Sequence, residues 1–254
     1  MLLPGTYANG FAPRDGRPLY PELWKGCVGA WNPGLGVTGL TLRDASGFQN
    51  NGTLTNGPTW AANQGKYALS FDGTDDYVDT GNTLASLSGA TSLSFSFWGR
   101  RRAAGNTLAM MQNNAASTAY NGITPYSDGN VYFLIYPNFI SYAHNSTDWC
   151  NYAMTFSSST IKGFINGVQV ASGAGPAAKG TTTDTLKIGV YQLVTTHANG
   201  FQDDHFLYNR ALSAQEIRTL STRRGIAYEM APRRRSSVQV TTNRRRRIII
   251  GGNR

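Results

Sequence analysis

The sequence contains few of the residues that build metal centres, disulfide scaffolds and membrane spans. Among 254 residues there are two cysteines, Cys27 and Cys150, three histidines and only 15% charged residues. Two cysteines are too few for a disulfide scaffold or a cysteine-built metal site, so we expect two buried, reduced thiols. No segment approaches the roughly 18 to 20 consecutive apolar residues of a membrane span, and the first residues do not resemble a secretory signal peptide. We therefore expect a protein that is made in a cytoplasm without a signal peptide.

The residues that are abundant favour a β-domain over a helical bundle. There are 29 glycines, and the 40% hydrophobic and 11% aromatic residues are enough for one substantial core. Leu93, Phe95 and Phe97 alternate with serines, and this period of two predicts half-buried antiparallel strands. Asn166 and Gly167 lie between two apolar runs and predict a tight hairpin, because both residues tolerate the positive φ of a type I′ turn.

One helix is predicted towards the end of the domain. Ser213 and Glu216 have the spacing of a capping box, in which each side chain accepts a hydrogen bond from the backbone N–H of the other residue. The helix should run to about Ser221, with Gly225 as its terminator. The first twenty or so residues are interrupted by prolines and glycines, which predicts an irregular arm.

Charge divides the chain into a neutral body and a basic tail. Residues 1–222 hold equal numbers of acidic and basic residues, so the net charge of +9 lies in residues 223–254. We therefore divide the chain into an N-terminal arm (1–22), a domain (23–224) and an Arg-rich tail (225–254). The arginine runs of the tail consist of Arg233, Arg234, Arg235, Arg244, Arg245, Arg246 and Arg247.

The tail permits two kinds of partner. Arginine runs neutralise phosphates, so nucleic acid is one of them. However, the runs are interleaved with strand-forming residues at Val238, Val240 and 248–250, which a purely solvated polycation does not need. Such a segment can add a strand to a partner's sheet while its arginines pair with carboxylates. We expect this second role, in which the tail is an assembly element.

Five motifs follow one another between residues 23 and 224. They are Asp44-Ala45-Ser46-Gly47 leading to Asn51-Gly52-Thr53-Leu54, Phe71-Asp72-Gly73-Thr74-Asp75-Asp76-Tyr77-Val78, Ser94-Phe95-Ser96-Phe97-Trp98, the Asn166-Gly167 hairpin, and Tyr208-Asn209-Arg210-Ala211-Leu212-Ser213 with Glu216. Their order and spacing resemble the laminin-G-like, concanavalin A-like jelly-roll family. The resemblance implies an all-β fold, a sandwich of two antiparallel sheets whose N- and C-terminal strands are neighbours, with one short C-terminal helix.

The two ends of the chain carry a second resemblance. The opening Leu19-Tyr20-Pro21-Glu22-Leu23-Trp24 and the arginine-rich ending after Glu229 resemble laminin-G-like proteins encoded in bacteriophage and prophage genomes. This implies a structural protein of the virion, in head decoration or associated with a tail or fibre. Its partners would be other virion subunits and further copies of itself. The alternatives are a carbohydrate-binding adhesin for a host surface and, third, a nucleic-acid-binding protein that acts through the tail.

The sequence predicts that the protein is not an enzyme. Glucanases of the resembled fold cleave sugars with paired carboxylates on a Glu-x-Asp-x-Glu strand. The three glutamates, Glu22, Glu216 and Glu229, lie in the arm, the capping box and the tail. There is also no nucleophile elbow, phosphate-binding loop or paired-histidine zinc motif.

The resemblance also implies a structural calcium ion. In relatives such an ion joins the loop near the first strand to an acidic pair in a late strand, which here nominates Asp44 with Asp203 or Asp204. Gln202 and His205 depart from the aliphatic residues that usually flank the pair, and we expect His205 to be a hydrogen-bonded core residue. The alternative is that these aspartates cap turns by accepting backbone N–H groups.

Aromatic residues concentrate in the stretch 120–142, which is also rich in asparagine and serine. Sugar C–H faces stack on aromatic rings while polar side chains bind the hydroxyls, so Tyr126, Tyr132 and Tyr136 are candidates for a glycan platform. The alternative is that these rings form ordinary core and cross-strand pairs. The run 100–102, three arginines, is interpreted as a solvated loop.

Overall fold

The computed structural model describes residues 20–83, 85–113, 120–181, 183–191 and 196–230. Within these ranges the chain forms mainly short antiparallel strands. The strands are β1 (Cys27–Trp31), β2 (Thr41–Leu42), β3 (Gly52–Thr55), β4 (Thr59–Asn63), β5 (Lys66–Asp72), β6 (Tyr77–Asp79), β7 (Ser92–Arg101), β8 (Met110–Asn113), β9 (Tyr120–Pro125), β10 (Asn130–Ile135), β11 (Asn138–Ala143), β12 (Cys150–Ser157), β13 (Thr160–Ile165), β14 (Val168–Ala174), β15 (Leu186–Ile188), β16 (Val190–Tyr191), β17 (Thr196–His197) and β18 (Asn199–Tyr208). The α-helices are α1 (Ala214–Leu220) and α2 (Ala227–Met230), and neither is long and apolar enough to cross a membrane.

Two eight-stranded sheets form a sandwich, which confirms the predicted fold class. The first sheet has the order β14-β13-β12-β7-β18-β5-β4, with β1 paired to β18, and the second has the order β11-β10-β9-β8-β15-β6-β3-β2. The pairing of β1 with β18 places Cys27 opposite Tyr208, so the first and last strands are neighbours, as the resemblance implied.

The local motifs fold as their sequences predict. Asn166 and Gly167 have φ values of 49° and 78°, as a type I′ hairpin requires. At α1 the Ser213 hydroxyl accepts from the Glu216 N–H at 3.2 Å, and the Glu216 carboxylate accepts from the Ser213 N–H at 2.8 Å. Cys27 and Cys150 are both buried and unbridged, as expected. The turn-length helix α2 was not anticipated.

The main core lies between the two sheets. Leu93, Phe95 and Phe97 point into it, as their alternation predicts. The prediction that this strand is only half-buried is wrong, because Ser94 and Ser96 on its other face are buried as well. The Ser94 hydroxyl donates to the Arg210 carbonyl and accepts from the Leu212 N–H, both at 2.9 Å. The segment that leads into α1 therefore covers the outer face of the first sheet.

A second apolar cluster fills the space between this outer face and the two ends of the described chain. Its members are buried residues from the start of the domain, from β18, from α1 and from the segment after α1, including Leu23, Phe206, Ile217, Ile226 and Met230. The division of the chain into a domain (23–224) and a tail (225–254) implies that core burial ends before Gly225. Ile226 and Met230 lie after that boundary and are fully buried.

The ends of the described chain meet at this cluster. The indole N–H of Trp24 donates to the Met230 carbonyl, 206 positions later in the chain. Residues 1–19 and 231–254 are outside the described residues. The predicted assembly residues of the tail lie there, namely Arg233, Arg234, Arg235, Arg244, Arg245, Arg246 and Arg247.

Candidate functional site

An aromatic surface lies on the outer face of the second sheet. Along β10, Val131, Phe133 and Ile135 point into the main core. Tyr132 and Leu134 occupy the alternate positions and therefore face outward. The second sheet thus exposes rings on the side away from the sandwich.

These outward residues line a cavity of about 380 Å³, which we call the aromatic cavity. Its size is within the range of small-molecule sites. The candidate platform residues Tyr126, Tyr132 and Tyr136 all line it. The remaining lining residues are Tyr120, Leu134, Pro137, Asn138, Phe139 and Tyr191. Tyr191 comes from β16, 49 positions after the end of the predicted stretch, and no local sequence signal pointed to it.

The rings of the cavity form one connected series. Tyr132 contacts Phe139 with ring centroids 5.8 Å apart and Tyr126 with centroids 6.2 Å apart. Tyr126 meets Tyr191 at 5.4 Å, and Tyr191 meets Tyr120 at 5.7 Å. The planes are tilted or edge-on, the arrangement that aromatic pairs prefer. Mutual packing therefore fixes the rings before a ligand arrives.

One acidic side chain is attached to this series. The Tyr132 hydroxyl donates to Oδ2 of Asp128 at 2.7 Å, and the Asn130 N–H donates to Oδ1 at 2.9 Å. These hydrogen bonds, that of Tyr132 above all, hold the pKa of Asp128 below its usual value. Asp128 is therefore an exposed, ionised carboxylate at neutral pH.

A buried arginine supports the loops at the end of the cavity. The Arg101 guanidinium donates to the carbonyls of Tyr126 at 3.2 Å and His144 at 2.8 Å, and to Oδ1 of Asn145 at 3.0 Å. Burial lowers the pKa of this guanidinium. The interpretation of residues 100–102 as a solvated loop is wrong for Arg101, because β7 continues to this residue and carries it into the protein.

Asp44, the first of the candidate calcium ligands, caps a turn. Its Oδ1 accepts from the N–H groups of Ala30 at 2.9 Å and Ser46 at 2.8 Å. Its Oδ2 accepts from the Ser46 hydroxyl at 2.7 Å and from the Asn50 N–H at 3.0 Å. Both carboxylate oxygens therefore accept from the chain itself, from β1 and from the loop between β2 and β3.

Asp203 and Asp204, the other candidate ligands, form a buried acid pair in β18. Oδ1 of Asp203 accepts from the N–H groups of Gly34 at 3.1 Å and Asp204 at 2.9 Å. Oδ2 of Asp203 lies 3.3 Å from Nε of Arg224, and Oδ2 of Asp204 accepts from the Gly225 N–H. The cation beside the pair is thus a side chain of the protein.

Comparison with known proteins agrees with the fold. Residues 72–218, more than half of the chain, match the family described as Laminin_G_3, the concanavalin A-like lectin/glucanases superfamily. The chain belongs to this superfamily. No curated protein matches the sequence.

Solved structures with the same fold belong to proteins of several kinds. Domain 4 of AbnA, an extracellular arabinanase from Geobacillus stearothermophilus solved with arabinotriose, is 17% identical with a TM-score of 0.61, covering 77% of this chain and 98% of that one. Botulinum neurotoxin type C, whose cell entry is described as dependent on two ganglioside molecules, is 13% identical with a TM-score of 0.59. The match covers 79% of this chain and 51% of the toxin chain. Trypanosoma rangeli sialidase is 16% identical with a TM-score of 0.57, and the match covers 77% of this chain and 32% of the sialidase chain. At these identities the likeness shows the fold alone.

The calcium site that membership of this superfamily suggests does not fit the residues present. Calcium takes six to eight oxygen ligands. Here the Asp44 oxygens already accept four hydrogen bonds, and the Arg224 guanidinium stands against Asp203 and stacks over the Trp149 ring at 4.1 Å. The geometry favours the alternative in which the aspartates cap turns and pair with an internal cation.

We accordingly expect chelation to leave the melting temperature unchanged. A ligand that binds only the folded state stabilises it by mass action, so a melt in EDTA should match a melt in excess calcium if no such site exists. A differential scanning calorimetry comparison tests this. A lower melting temperature in EDTA that calcium restores, and that is absent from Asp44→Asn, would contradict it.

Two candidate catalytic features, Glu216 and the His144–Cys150 pair, are poorly placed for chemistry. Glu216 binds Arg210 at 2.6 Å, and this hydrogen bond lowers the pKa of Glu216 to about 2, so the carboxylate cannot act as a general acid near neutral pH. Nε2 of His144 lies 3.4 Å from the sulfur of Cys150, a spacing seen between a nucleophile and its base. Cys150 is only 3% exposed, so a substrate cannot approach its sulfur.

Proposed function

We propose that the protein binds carbohydrate in the aromatic cavity and has no catalytic activity. The observation that carries the proposal is the connected series of rings from Phe139 through Tyr132, Tyr126 and Tyr191 to Tyr120. Proteins that share the fold include an arabinanase domain solved with arabinotriose and a toxin studied with gangliosides, which supports the same ligand class.

The chemistry of the cavity suits a sugar chain. The faces and edges of the rings offer apolar surface to sugar C–H groups, while the tyrosine hydroxyls and the Asn138 amide offer hydrogen bonds to sugar hydroxyls. Tyr136 is 43% exposed and Phe139 is 58% exposed, so both rings are available at the rim. Because the rings are already packed against one another, binding should cost little side-chain entropy.

Removing a rim ring should weaken binding. We expect Tyr136→Ala and Phe139→Ala each to reduce affinity for a bound oligosaccharide by about tenfold, as loss of an aromatic anchor commonly does. Calorimetric titration against a panel of neutral and acidic oligosaccharides measures this, and the same incubations should yield no new reducing ends. Tyr67→Ala is a matched control, since Tyr67 is 42% exposed but lies on β5 of the first sheet.

Two results would contradict this proposal. One is a wild-type protein that binds no member of the panel, and the other is a Tyr67→Ala variant that loses as much affinity as Tyr136→Ala. Reproducible cleavage of a panel member would contradict the non-catalytic part separately.

As a second candidate, we propose that the protein is a structural subunit of a bacteriophage virion, on the head or on a tail or fibre, held there by its arm and tail. The observation that favours it is the contact of Trp24 with Met230, because it places the attachment points of residues 1–19 and 231–254 side by side on a neutral body. Both segments could then contact the same neighbouring subunits. Carbohydrate binding on a host surface would be compatible with this location.

A further inference from the structure

The chain around the aromatic cavity is almost free of charge. Between residues 103 and 147, the stretch that supplies β8 to β11, Asp128 is the only aspartate, glutamate, lysine or arginine. The adjoining segments 114–119 and 192–195 have the sequences NAASTA and QLVT, so they add no charge wherever they lie. The stretch that supplies eight of the nine lining residues of the cavity therefore carries a single charged side chain.

Two charged groups contact residues that line the cavity, and they differ in their accessibility. Arg101 reaches the Tyr126 carbonyl from inside the protein, but it is 1% exposed and both of its terminal nitrogens donate to the chain. Asp128 is exposed on the turn between β9 and β10 and contacts the lining residue Tyr132. A ligand in the cavity would therefore meet a negative charge at the surface and no accessible cation among the described residues that line it.

Hydrogen bonding, like the charge of Asp128, disfavours an acidic ligand. The Tyr132 hydroxyl uses its proton on Asp128, so its oxygen is left as an acceptor. A sugar hydroxyl can donate to that oxygen. An ionised carboxylate has no proton to donate, and its charge would be repelled by Asp128.

We infer that the aromatic cavity selects uncharged carbohydrate over acidic carbohydrate, and that Asp128 is the residue that sets this preference. The inference rests on the proposed carbohydrate binding and adds the class of ligand. The ligands it favours are neutral pyranose or furanose chains, and the ligands it disfavours carry sialic or uronic acids.

Matched pairs of oligosaccharides test this inference. We would titrate the full-length protein with galacto-oligosaccharide and oligogalacturonate of equal length, and with N-acetyllactosamine and its sialylated form. We expect the acidic member of a pair to bind about fivefold more weakly at low salt, as one charge repulsion across a few ångströms of water predicts. The ratio of the neutral to the acidic affinity should shrink at high salt, because salt screens the repulsion. Asp128→Asn keeps an acceptor for Tyr132 but removes the charge, so it should bring the ratio of the two affinities close to one by strengthening binding of the acidic member.

Asp75→Asn removes another exposed carboxylate, in the turn between β5 and β6, and should leave the ratio of affinities unchanged. If wild-type protein prefers the acidic members, or if Asp128→Asn leaves the ratio where it was, the inference is wrong although carbohydrate binding stands. If wild-type protein binds neither member of any pair, carbohydrate binding itself fails, and the inference fails with it.

Discussion

Arg224→Ala should lower the free energy of unfolding by about 3–5 kcal/mol, the usual cost of removing one partner from a buried ion pair. Asp203 is 0% exposed, Asp204 is 1% exposed and Arg224 is 8% exposed, so water cannot replace the lost cation. The substitution would leave two adjacent carboxyl groups buried without the guanidinium that faces them. Equilibrium denaturation in urea, read by near-UV circular dichroism, measures the effect.

The size of this loss should depend on pH. Burial raises the pKa of Asp204 to about 6. Burial, together with the neighbouring Asp204 carboxyl group, raises the pKa of Asp203 well above its usual value. An unfolded aspartate titrates near pH 3.9, so the folded state binds these protons more tightly, and their stabilising contribution is lost as the pH rises through about 6. A protonated pair needs no cation. The Arg224→Ala penalty should therefore be smaller at pH 5 than at pH 8.

Arg218→Ala is a suitable control, because Arg218 is an exposed residue of α1 whose loss should cost less than about 0.5 kcal/mol. Combining Arg224→Met with Asp203→Asn and Asp204→Asn should recover part of the loss, since it removes the unpaired charges. A penalty for Arg224→Ala no larger than that of Arg218→Ala, or one independent of pH, would show that the ion pair does not hold this region.

The features that the sequence predicted correctly are those fixed by neighbouring residues. The capping box at Ser213 and Glu216 and the hairpin at Asn166 and Gly167 depend on a few consecutive backbone angles and on side chains three residues apart. The alternation of Leu93, Phe95 and Phe97 depends only on the geometry of an extended strand. Such features do not require knowledge of which elements lie next to one another.

What the sequence could not predict depends on distant contacts. Tyr191 joins the rings of Tyr126 and Tyr120 because β15 crosses next to β8, which places β16 beside the cavity. Arg224 meets Asp203 only because the chain returns after α1 to the bulge in β18. In each case residues of unremarkable local sequence acquire their role from the topology, so Asp203 could be assigned to calcium by resemblance while its nearest cation went unnoticed.

The same topology determines where the chain can be shortened. Deleting residues 231–254 should leave a folded protein of nearly unchanged stability, because the buried members of the clusters described above lie between Leu23 and Met230. Deleting residues 225–254 should be far more damaging. It also removes Ile226 and Met230, both 0% exposed, and replacing a buried side chain of this size by alanine already costs about 2–5 kcal/mol. Thermal melts of the two truncated proteins against the full chain measure the difference.

The shorter deletion also separates the roles proposed for the tail. It removes eight arginines but leaves the second apolar cluster complete, so any loss of function cannot be attributed to unfolding. If the tail is an assembly element, the 1–230 protein should bind oligosaccharide normally yet fail to join virus particles, because the interface loses its charge pairs and hydrogen bonds. If the tail binds nucleic acid instead, the full chain should bind DNA or RNA with an affinity that falls steeply with salt, and the isolated tail should suffice. Incorporation of the 1–230 protein at normal copy number would exclude the assembly role.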